Sequence, residues 1–233
     1  MHILKYIISI SCCFIFVDGF SQKQKTATKK DTIIYKTGYG FRLGADISKP
    51  ILSLLSDSYK GFEIVGDYRI TKNWYIATEL GIEEKISDED YINSTSKGSY
   101  IRLGANYNSY KNWLDMNNEI SLGFRYGFSV FNQTLNSYTP NTGSQYFPVT
   151  TITTPQISNG LKAHWTEFVI GIKAETFKNL FVGFSASYKI MLSVDNPTNF
   201  KTLYTPGFNR VFESNTGFGF NYTISYLIPF VKK

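Results

Sequence analysis

The stretch Gly217 to Phe230, GFGFNYTISYLIPF, constrains this chain most. Every second residue is apolar or aromatic: Phe218, Phe220, Tyr222, Ile224, Tyr226, Ile228 and Phe230. Most of the residues between them are small or polar, namely Gly217, Gly219, Asn221, Thr223 and Ser225. A period of two puts the greasy set on one face of a β-strand and the wet set on the other. The run exceeds the roughly 9–11 residues that a tilted strand needs to cross a bilayer.

The other end of the chain predicts export. Lys5 is a charged n-region, Tyr6 to Val17 is an apolar run of twelve, and Gly19 and Ser21 supply a small-x-small cleavage pattern. Residues 1–21 therefore read as a signal peptide; twelve apolar residues are too few for a spanning helix of about 20. Cys12 and Cys13 are the only cysteines. Both sit inside the apolar run rather than after it, which argues against lipidation. A mature chain without cysteine has no disulfide and no cysteine metal site. About 210 residues remain, enough for one domain. Within them, residues 22–37 carry Lys23, Lys25, Lys29 and Lys30 and read as a basic tail facing the periplasm. The net charge of +6 does not imply nucleic acid, because the basic residues fall in turns and tails rather than along one stripe.

From residue 38 to 233 the alternation recurs. Expected strands run over 38–48, 61–71, 74–85, 98–109, about 114–131, about 161–176, 180–191 and the terminal stretch. Eight is an even number, as a closed antiparallel barrel of this kind requires. Thr71-Lys-Asn-Trp74, Tyr110-Lys-Asn-Trp113 and Phe177-Lys-Asn-Leu180 each separate two runs by a short turn. The connections over 49–60, 86–97, 132–160 and 192–211 are long. Short turns at one end and long loops at the other are the pattern of barrels with periplasmic turns, which puts both termini in the periplasm. A soluble barrel would place the apolar face inward. Two features favour the opposite assignment. Glycines crowd the polar face, as a narrow lumen demands. Aromatics gather near strand ends as two girdles, with Tyr39, Tyr68, Trp74, Trp113, Tyr226 and Phe230 at one level and Phe62, Phe128, Trp165, Tyr188 and Phe218 at the other.

Signal peptide, eight strands, unequal connections and an aromatic terminal strand together resemble the small outer-membrane barrels of OmpA/OmpX type. More narrowly, the chain resembles a bacteroidete family of small barrels of unknown function. The resemblance implies an all-β fold, an eight-stranded antiparallel transmembrane barrel in the outer membrane, with outer-membrane lipids around it. It carries no catalytic signature. No peptidoglycan-binding domain follows the barrel, so a tethering role is not expected.

An eight-stranded interior is just wide enough for side chains. The inward phase places Arg42, Arg102 and Arg125 near mid-height with Asp67, Glu79 and Glu167. Opposite charges at one depth are expected to pair, because an unpaired buried charge is costly. A lumen closed by salt bridges is the expected outcome, a narrow gated pore the alternative. His164 is the one histidine of the mature chain, in AHWTEF at the rim of strand 6. Lipid-modifying barrels combine such a histidine with Ser and an acid, but Thr166 and Glu167 complete no such motif, so no catalytic residue, cofactor or metal is assigned. The connection 132–160 is uncharged, rich in Thr, Asn, Ser, Gln and Pro, and carries Tyr138, Tyr146, Phe147 and Ile152. Polar uncharged loops with aromatics suit protein contact. These four residues are the candidate partner site, and the expected role is that of a non-enzymatic accessory or interaction subunit; a surface adhesin or a ligand-binding barrel are further readings.

Overall fold

In the computed structural model the described residues run from Gly38 to Lys232, apart from 111–116, 141–149 and 199. The expected signal peptide, the basic tail, the Lys111-Asn112 turn, Trp113, Tyr146 and Phe147 lie outside them. The elements are β1 (Gly38–Asp46), α1 (Ser48–Leu55), β2 (Tyr59–Arg69), β3 (Trp74–Glu89), β4 (Ile92–Asn108), β5 (Glu119–Tyr138), β6 (Gln156–Phe177), β7 (Leu180–Val194), β8 (Tyr204–Thr205), β9 (Asn209–Arg210) and β10 (Thr216–Lys232). Eight strands close into one barrel in the order β1-β10-β7-β6-β5-β4-β3-β2, and β8 and β9 form a separate two-stranded hairpin. Every pairing in the barrel is antiparallel.

The alternation resolves into a wet interior and a greasy wall. On β10, Phe218, Phe220, Tyr222, Ile224, Tyr226, Ile228 and Phe230 are all exposed, and β6 exposes Phe168, Ile170 and Ile172 at matching levels. The inward phase of the barrel strands buries Arg42, Glu63, Asp67, Arg102, Arg125 and Glu167. In water this arrangement would present an apolar surface far larger than a soluble monomer carries. Surrounded by hydrocarbon it is the stable one, since every backbone group within a closed barrel is bonded to a neighbouring strand. The fold is a transmembrane β-barrel. Charged residues reappear on the outer wall at one level, with Lys60 opposite Glu84 and Lys97 2.9 Å from Glu84, and they mark one border of the apolar band.

Several boundaries differ from the sequence expectation. Residues 86–97 are not a loop: β3 and β4 continue as a hairpin to Glu89 and Ile92, turning through Asp90-Tyr91. β5 likewise runs on to Tyr138, and β6 starts at Gln156 rather than Leu161. These extensions lie beyond the apolar band: inward Ser94, Ser96 and Gln133 are buried but polar, and most outward positions are polar too, so no apolar alternation announces them. At the other end β5 starts at Glu119, not near Leu114. Within 49–60 stands α1: Asp46 Oδ1 accepts from the Ser48 N–H (2.9 Å) and the Ser48 hydroxyl (2.7 Å), an Asx turn between the end of β1 and the helix. Pro50 sits in the first turn, where its missing N–H costs nothing. The β6–β7 turn at Lys178-Asn179 holds as expected, with Asn179 at φ 65°, a conformation asparagine tolerates.

Among the described girdle residues, Trp165 points inward instead of outward. It lies in phase with Glu167, is fully buried, and donates from Nε1 to Glu167 Oε1 at 2.6 Å. Gly127 across the strand pair makes the room, since a Cβ there would lie 2.1 Å from the indole. Burying an indole inside is stable because its N–H has a partner.

Candidate functional site

The lumen holds two ion clusters. At the end where β2 turns into β3, Arg42 Nε meets Asp67 Oδ1 at 2.6 Å while its other nitrogens take Glu119 at 2.7 and 3.0 Å. The guanidinium is stacked between Tyr75 (4.8 Å) and Phe181 (5.0 Å), and Lys173 also bonds Asp67. Nearer the middle, Arg102 lies 2.6 Å from Glu63, 2.8 Å from Glu79 and 3.4 Å from Glu167. Arg125 reaches the same Glu79 at 3.3 Å and the carbonyls of Ala105 and Phe124. The six lumen residues expected from the sequence thus fall into two groups, Arg42 with Asp67 and Arg102 with Glu79, Glu167 and Arg125. A fan of carboxylates about one guanidinium suits Arg, which presents five donors in a plane. A cavity of about 50 Å³ remains between the groups, lined in part by Asp67, Glu79, Arg125 and Asn221.

Above these clusters the interior is occupied by parts that the alternation did not reveal. The connection after β7 folds back as the β8–β9 hairpin, whose Thr205-Pro206-Gly207-Phe208 tip enters the barrel. Phe208 N–H bonds Thr205 O at 3.0 Å and Gly207 has φ 83°, a type II turn with proline and glycine in their preferred places. Glu83 Oε2 accepts from the Tyr204 hydroxyl (2.8 Å) and the Gly207 N–H (2.9 Å). Phe208 is fully buried and meets Trp165 edge-on at 6.0 Å, in an apolar cluster with Tyr100, Phe131, Leu161 and Met191. From the opposite side Lys49 of α1 reaches Glu83 at 2.5 Å and Glu63 at 3.6 Å. Burial by itself would lower the Lys49 ammonium, but Glu83 and Glu63 outweigh it and hold it above the usual lysine range. Burial, then Glu83, pushes the Tyr204 phenol well above its ordinary value, so it stays a donor. The readable signal for this plug was the Pro-Gly pair between two aromatics; Lys49 carried none, because it lies on a short helix outside the strand pattern.

Of the candidate partner residues, Tyr138 and Ile152 are brought together. Each donates its N–H to the other's carbonyl, at 3.0 and 2.9 Å, an isolated bridge from the last residue of β5 to Ile152, which lies outside the strands. They sit on a four-stranded sheet, formed by the ends of β3, β4, β5 and β6, that continues past the charged border of the band. Beyond Lys162, whose N–H and C=O are taken by Asp195, the outer edge of β6 over 157–161 has no strand beside it among the described residues. Ile157 on that stretch is exposed. His164 faces the outer wall, its Nδ1 2.7 Å from the Tyr126 hydroxyl and its ring 4.9 Å from Phe128.

Closure, an outward apolar band and a polar interior are the features of the small eight-stranded outer-membrane barrels, and this chain has all three. Among solved structures it is similar to Ail, the attachment invasion locus protein of Yersinia pestis, at 11% identity and a TM-score of 0.39, over 82% of this chain and 95% of that one. No curated protein matches the sequence. Residues 3–233 match the family described as Domain of unknown function (DUF6048), and the chain belongs to that family.

Proposed function

We propose that this protein is a non-enzymatic interaction subunit of the outer membrane, with both termini in the periplasm and a lumen closed by its salt bridges and plug. The observation that carries the reading is the projecting sheet, whose β6 edge has no strand beside it over 157–161 among the described residues. A strand edge of this kind offers a row of N–H and C=O groups to an extended segment of a partner, which can add itself as a further strand. Exposed Ile157, together with Tyr138 and Ile152, supplies side-chain contact beside it. Support for a closed lumen comes from the small volume left between the two ion clusters.

The test is the composition of the native particle, extracted gently from its own membrane and sized. A stoichiometric partner that is lost on Ile157→Lys, which puts a charge on the exposed edge strand, supports the reading. A lone barrel overturns it. Ion conductance of the purified protein in planar bilayers would favour a pore instead, and loss of a lipid modification on His164→Ala an enzyme.

A further inference from the structure

The barrel wall has a gap on one side. β1 stops at Asp46, opposite Thr223 of β10 and, on its other side, at the level of Ile64 of β2. Both neighbours continue: β10 runs on to Thr216 and β2 back to Tyr59, with no strand between them. α1 occupies the gap but docks on only one bank. Ser53 takes the Gly61 N–H at 2.8 Å, so the helix completes the edge of β2. Towards β10 its anchor is at the base, where Ile47 N–H bonds Tyr222 O at 2.7 Å. Between α1 and the end of β10 lies a cavity of about 620 Å³, within the roughly 300–1,000 Å³ of small-molecule sites.

The mouth of this cavity is apolar and its floor is cationic. Ile51 and Leu52 of α1 face Phe220 and Tyr222 of β10, and the lining carries Lys49, Arg102 and Lys189. Phe220 stands opposite Ala186, which stands opposite Ile170, so the mouth lies at the depth of the lipid-facing band. The three cations differ. Lys49 is paired with Glu83 and Glu63. Arg102 is surrounded by Glu63, Glu79 and Glu167. The Lys189 ammonium, 3% exposed, makes one hydrogen bond among the described residues, to Gly207 O at 2.6 Å. Its nearest carboxylate, Glu167, is 3.8 Å away and shared with Arg102. Three donors with one taken leave a buried cation short of an acceptor. Gly219 keeps its amine open to the cavity, because a Cβ there would lie 3.0 Å from Nζ.

We propose that this gap is a lateral binding site for a membrane amphiphile with an oxyanion head, carboxylate or phosphate. The head enters from the bilayer to meet Lys189, and the hydrocarbon chain stays between α1 and β10. Continuity of the mouth with the lipid-facing wall supplies the chain, and the unfilled ammonium selects the head.

The test reconstitutes the full barrel in lipid nanodiscs with palmitate, or with phosphatidylglycerol, carrying a diazirine next to the head group, and maps the photolabelled residues by mass spectrometry. Labelling of Lys189, Gly219 or Asn221 is the expected result. The palmitate arm identifies a carboxylate ligand and the phosphatidylglycerol arm a phosphate one. Leu52→Trp, at a half-exposed position, is expected to cut inner labelling at least tenfold by filling the mouth. Lys189→Met is expected to abolish it while labelling of Phe168 and Ile170 on the far wall is unchanged. Both variants are checked for folding by heat-dependent gel mobility, and if Lys189→Met does not fold, Leu52→Trp decides. Labelling confined to the outer wall with both probes, or inner labelling that Leu52→Trp leaves intact, overturns the proposal.

Discussion

At the scale of the residue, Arg102 is the member of the lumen with most depending on it. Removing a buried charge leaves its partners uncompensated, at about 3–5 kcal/mol. Arg102→Met should destabilise the barrel by that order in urea unfolding from lipid vesicles, and Glu63→Gln in the same background should recover part of the loss. Gly127→Val tests packing: its Cβ falls 2.1 Å from Trp165, and overpacking of this kind costs about 1–3 kcal/mol, read in the same unfolding assay. The ion residues were legible because inward and outward positions alternate strictly along a strand and polar side chains mark the inner face. Trp165 was misplaced for the converse reason: an aromatic near a strand end suggests a girdle, and only its phase with Glu167 and the space over Gly127 bring it inside.

Among the elements, the β8–β9 hairpin is held by Glu83, by Lys189 on the Gly207 carbonyl, by Phe208 in the apolar cluster and by the left-handed turn at Gly207. Gly207→Val must place a β-branched residue at φ 83° with its Cβ about 2.5 Å from the Tyr100 ring. The hairpin is expected to leave the lumen, so limited proteolysis should cut within 196–212 in the variant and spare the parent. Tyr204→Phe removes a hydrogen bond to a charged group, worth about 1.5–3 kcal/mol, and should shift the same cleavage partway. The Pro-Gly turn was readable here, its destination was not. α1 was missed because Ser48-Lys49-Pro50 reads as loop and eight residues are too few to display a helical period.

For the whole molecule the decisive quantity is the medium around the wall. Ile170→Arg places a charge on the lipid face, at a cost of about 2–4 kcal/mol near the midplane, and should reduce refolding into vesicles accordingly. A charge at position 60, already Lys at the border of the band, costs about 0–1 kcal/mol by the same depth dependence, so Lys60→Glu should refold as the parent does. The contrast between the two positions separates burial in hydrocarbon from a general loss of strand stability.

Eight strands, their inward and outward faces and the two short turns at Lys72-Asn73 and Lys178-Asn179 were determined by the sequence itself, because a period of two leaves one register for each strand once one face meets lipid. Three things were decided only by the tertiary structure: the strand ends beyond the band, the plug over Glu83, and the gap in the wall beside α1. All three arise where the alternating signal stops. Beyond the band the outer face and the buried inner face are both largely polar, the plug gains its burial from residues far away in sequence, and the gap is a difference in length between β1 and its two neighbours that no single segment contains.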